Sequence, residues 1–156
     1  MLTLSQLLVL TRSTEARKFK GSYRLSHLTA KSNEDSVGSY LLFSSVVEGG
    51  EEPRKSSVKI YSDTLKIGAP TQVWCTCRYF SYFLALPLSM AGSSILEFDL
   101  EDIPEKYREI KRKPGLCPHL LVLAENLSTL SKKELLQLLH PKESRISIND
   151  RLKNLA

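Results

Sequence analysis

Apolar and polar positions along this chain change period several times, and each change marks an element. Leu4, Leu7 and Leu8, with Leu10 or Thr11, fall on one helical stripe behind Thr3 or Ser5 as cap, which predicts a short N-terminal helix. The charged stretch 12–20 follows it. Tyr23 and Leu25 then alternate with polar neighbours and predict a strand through Leu28. His27 lies on the apolar side of that alternation, as a core or rim side chain, and the polar residues 29–36 read as a loop. The clearest β signal is the pair of runs 39–47 and 57–62, joined by turn chemistry that includes Gly49 and Gly50. After a connector with Gly68 and Pro70, residues 72–75 predict another strand.

The second half mixes periods. Phe80, Phe83 and Leu84 share helical spacing and predict a short helix ended near Pro87. Residues 95–100 alternate like a strand, and 104–113 read as helix or loop. Pro118 opens an apolar helix that runs through Leu127. Ser131 and Glu134 form a capping box ahead of Leu135, Leu136, Leu138 and Leu139, a helix expected to stop at Pro141. The tail alternates at Ile146 and Ile148 and offers Asn149 as a cap, and apolar side chains at a terminus suggest an assembly arm. The expected fold class is α+β, a small antiparallel sheet with flanking short helices. Its expected parts are an N-terminal helix or arm (1–20), a central domain (21–130) and a C-terminal helix and tail (131–156).

The chemistry lies in two tight pairs. Cys75 and Cys77 flank Thr76, Cys117 and His119 flank Pro118, and these use all three cysteines of the chain. Ligands one residue apart reach a common ion when the chain between them is extended or turning, because residues i and i+2 of a strand share a face. Cys75, Cys77, Cys117 and His119 thus form a candidate four-ligand zinc site. Buried thiols, redox chemistry or another soft metal are the alternatives. Disulfide pairing has little support from an odd cysteine count with no secretory signal to read. Four protein ligands leave no position for water or substrate, so such a zinc is structural.

The order C-x-C, insert, C-x-H resembles the SWIM-type zinc finger. That resemblance implies a ββα corner, with the first pair at the end of a hairpin and the second leading into a helix. The insert, 78–116, is longer than the family implies. Over its middle half the chain also resembles, more weakly, small SWIM-containing structural proteins of tailed bacteriophages. This implies a virion or assembly component in contact with other virion proteins and with itself as an oligomer, located in the virion or the host cytoplasm.

Composition narrows the choice without deciding it. The 156 residues fit one domain of ordinary globular make-up, and no apolar run approaches the roughly 20 residues that span a bilayer. The net charge of +5 comes from mixed segments; Lys106, Arg108, Lys111, Arg112 and Lys113 cluster among Glu101, Asp102, Glu105 and Glu109. A solvated face is the favoured account of that cluster. A nucleic-acid or protein adaptor using Arg78, Lys111, Arg112 and Lys113 is the alternative. No nucleotide-binding loop, nucleophile elbow or paired catalytic acids is present, so the expectation is a non-enzymatic protein.

Overall fold

The computed structural model describes residues 1–11, 22–50 and 52–141. The expected assembly arm, with Ile146, Ile148 and Asn149, lies outside the described residues. Among those described, the fold is α+β. Helix α1 (Leu4–Leu10) precedes strands β1 (Arg24–Glu34), β2 (Ser39–Glu48), β3 (Arg54–Ile60) and β4 (Thr71–Cys75). These pair antiparallel in the order β1-β2-β3-β4. Helices α2 (Ala85–Met90), α3 (Pro118–Ser128) and α4 (Lys132–Leu139) complete it.

The expected hairpin is β2 and β3. Strict alternation buries Leu41, Phe43, Ser45 and Val47 on one face and leaves Tyr40, Leu42, Ser44 and Val46 half-buried on the other. Helix α3 packs across the buried face against all four strands. Six residues of α3 from Leu120 onwards, ending at Leu127, are buried, so this helix is the centre of the core. Leu4 and Leu7 of α1 and Leu135 of α4 join the same apolar cluster. Thr3 caps α1 and Ser131 caps α4, each in a reciprocal capping box.

Three expectations need correction. Residues 29–36 are not a loop: β1 runs to Glu34 and pairs with β2 as far as Ser39. Its distal half is polar because it is an edge strand with Ala30 as its one buried side chain, so hydropathy alone hides it. Residues 95–100 do not form a strand. Ser94 makes a single parallel bridge to Val73, after which the chain turns away into a 3₁₀ turn at Leu100–Asp102. The bridge still has a role, since Val73 N–H donates to Ser93 O (2.8 Å) and Ile95 N–H to Val73 O (3.1 Å), covering the outer edge of β4. Finally, the aromatic helix does not end at Pro87. A π-helical turn, Phe80–Leu84, runs into α2, and Pro87 occupies the first turn of α2, where its missing N–H is tolerated.

Arg112 draws the two ends of the insert together. Arg112 donates from Nε to Tyr82 O (2.8 Å), from one terminal nitrogen to Ile110 O (2.8 Å) and from the other to Tyr107 O. Tyr107 stacks on Tyr82 at 5.3 Å and meets Phe83 edge-on at 5.6 Å. The aromatic run therefore packs the insert against the helical turn that follows the first cysteine pair. No helix among the described residues is long and apolar enough to cross a membrane.

Candidate metal centre

Strand β4 ends on Cys75, on the core face with Thr71 and Val73. Past Thr76 the chain bends at Cys77, which is buried and lies three residues ahead of Phe80, the start of the π-helical turn. From the other side Cys117 is the N-cap of α3, Pro118 takes its first position and His119 the next. An N-cap residue must be extended while the helix begins beyond it, so Cys117 and His119 converge on the end of β4. All four side chains are buried, and their donor atoms lie within 4.8 Å of one another. A tetrahedral ion with sulfur at about 2.3 Å places its donors about 3.8 Å apart, close to that spread. The sequence-predicted residues are thus all brought to one place.

The surroundings suit anionic sulfur. Ser56, paired with Cys75 across the β3–β4 ladder, donates its hydroxyl to Cys75 Sγ at 3.4 Å. Phe80 N–H points at Cys77 Sγ (3.3 Å) and Leu120 N–H at Cys117 Sγ (3.5 Å). The helix N-terminus adds its partial positive charge to Cys117.

The three sulfurs compete for charge. Hydrogen bonds from Cys117 and Cys77 hold Cys75 far below the ordinary thiol range. Cys117 also bonds Cys77 in the sense that lowers it, but the Cys75 sulfur and burial outweigh this and push Cys77 up to about 12. Burial, then Cys75 and Cys77, raises Cys117 well above a normal thiol. The crowded, buried sulfurs oppose one another's ionisation, and a dication would favour the thiolate form of all three.

His119 supplies the most telling detail. Its Nδ1 is buried and has no hydrogen-bond partner. A buried polar atom left unsatisfied costs about 1–3 kcal/mol, and metal coordination of the imidazole is one way to remove that penalty. Tyr23 packs edge-on against the ring, centroids 4.8 Å apart, and fixes its plane. The donor set, its burial and this orphaned nitrogen fit a tetrahedral soft-metal site. All three cysteines are free thiols.

Sequence reasoning does not reach Ser56 or Tyr23, because both meet the site only through strand register and the turn at Gly49. The expected site for the adaptor reading changes too. The guanidinium of Arg112 is engaged by carbonyl oxygens, leaving Lys111 and Lys113 as the exposed cations of that triplet. His27 is not in the core: it is exposed, at an irregularity in the pairing of β1.

Comparison of the chain with protein-family models, with curated proteins and with solved structures returns no match.

Proposed function

We propose that this chain is a non-enzymatic, zinc-stabilised structural protein acting in assembly with neighbouring subunits, a virion component of a tailed bacteriophage being the setting that its sequence resemblance suggests. The observation that carries the structural role is the buried Cys75, Cys77, Cys117 and His119 cluster, whose four donor atoms lie within 4.8 Å of one another, as many as a tetrahedral ion needs. Zinc is the ion that best fits three thiolates and an imidazole. With no coordination position left for water, its contribution is cohesion: it fastens the end of β4 to the start of α3 and makes closure of that corner and metal binding one event. The SWIM-like order of ligands, strand end first and helix start second, supports the same reading.

Cobalt substitution tests it. The cobalt-loaded protein should give the ligand-field spectrum of a tetrahedral three-sulfur, one-nitrogen site, unchanged by azide or cyanide. A spectrum shifted by either anion would reveal an open position and overturn the structural assignment. Assembly is read separately, by native mass spectrometry of the full chain: oligomers or stable subunit complexes support it, and a strict monomer that joins no particle or complex contradicts it.

A further inference from the structure

The sheet face turned away from α3 carries a recess that the metal centre does not use. Thr29, Ser44, Ser57 and Trp74 are successive cross-strand neighbours, one row spanning all four strands. The two central residues are small, and their hydroxyls lie 3.1 Å apart in a mutual hydrogen bond. Val46 and Lys55 stand in the next row on one side, Leu42 and Lys59 on the other. The result is a hollow of about 230 Å³ with Trp74 at one end and His27 at the other. His27 has φ 51°, the one non-glycine residue with positive φ among those described, and it occupies the break in β1 pairing between Ser26 and Thr29. Bulges of this kind re-aim a side chain, here to the rim of the hollow.

Charge on this face is unbalanced. Of its described carboxylates, Glu48 pairs with Arg24 (3.7 Å), and Asp35 holds Lys59 (2.6 Å) and the Tyr61 hydroxyl (2.7 Å). Lys31 and Lys55 have no ion-pair partner among the described residues. The hollow is smaller than the roughly 300 Å³ at which pockets for drug-sized ligands begin, and it suits one planar ring set against the indole. Two unpaired lysines are few for a polyanion, whose affinity comes from many phosphate contacts, but they match the acidic flanks of an aromatic anchor.

We propose that this hollow is a docking site for a protein partner that inserts one aromatic side chain against Trp74 and sets neighbouring carboxylates on Lys55 and Lys31. The inference rests on the assembly reading, for which it names the surface and the chemistry of the partner. Aromatic anchors in a small desolvated pocket are the usual centres of binding energy at such contacts.

Trp74 is the only tryptophan of the chain, so a single indole N–H resonance reports on the site. The full-length zinc-loaded protein is titrated with an N-acetylated, C-amidated peptide of sequence Glu-Phe-Glu. The indole signal should move saturably, with affinity at least about tenfold weaker in Lys55→Glu, and it should stay in place in Ser44→Phe, which fills the hollow from its floor. The Lys-Phe-Lys peptide should leave it unmoved. An unmoved signal with Glu-Phe-Glu overturns the proposal, as does equal response to the two peptides. Movement on diluting the protein alone would assign the face to a second copy. A response to oligothymidylate at lower concentration than to the peptide would assign it to nucleic acid. Zinc stoichiometry, the cobalt spectrum and native mass of the same preparations separate the readings: if these stand while the peptide fails, only the hollow is misassigned.

Discussion

Trp74 and Cys75 are adjacent in sequence and point to opposite faces of β4, so one dipeptide serves two surfaces. On the core side the sulfur of Cys75 depends on Ser56, which sequence spacing cannot reveal because it lies across a strand pair. Ser56→Ala should leave the fold intact but weaken zinc retention about tenfold or more, as loss of a hydrogen bond to a metal ligand does; competition with a chromophoric chelator measures it. Gly49 acts at longer range. Its φ of 134° suits glycine, and a Cβ there would lie 2.4 Å from Ser22 O and 3.0 Å from Tyr23 Cα. Gly49→Ala should therefore displace Tyr23 from His119, lowering both the thermal midpoint and zinc affinity. Unchanged values of both would remove Tyr23 from the support of the site. The four donors themselves were legible because each pair is local, while Ser56, Tyr23 and His27 take their places only from register and turn geometry.

At the scale of elements, alternation identified β2, β3 and β4 because one face of each is buried, whereas the outer half of β1 reads as loop because Ala30 is its one buried side chain. What holds that outer half is polar. Asp35, just past the end of β1, accepts from Lys59 and Tyr61, and these hydrogen bonds hold its carboxyl well below the usual carboxylate range. A depressed folded value means that the clamp contributes stability above the unfolded value of about 3.9 and loses it as pH falls through the folded one. Asp35→Asn should accordingly be less stable than the wild type at neutral pH, the two stability curves converging in strong acid. Parallel curves at all pH values would show that the clamp carries no net charge-linked stability. The aromatic run illustrates the opposite difficulty: its helical spacing was readable, but its packing on Tyr107, beside the Arg112 contact to Tyr82, joins residues far apart in sequence.

In the whole molecule the metal centre sits where the two halves of the fold meet. Everything from β1 to β4 reaches it through Cys75 and Cys77, and the helical part through Cys117 and His119, on the helix that fills the core. A metal held there would fix the last strand of the sheet against α3, and the outward face of that strand bears the hollow at Trp74. The fold retains a large apolar core of its own, so metal loss should loosen one corner and lower stability without abolishing the sheet. The measurement that bears most directly on this account is native mass spectrometry of protein purified without chelator, paired with thermal unfolding before and after zinc removal. One zinc per chain is expected, with a midpoint lower by roughly 10 °C or more once it is stripped. A metal-free chain whose melting is indifferent to added zinc or chelator would contradict it.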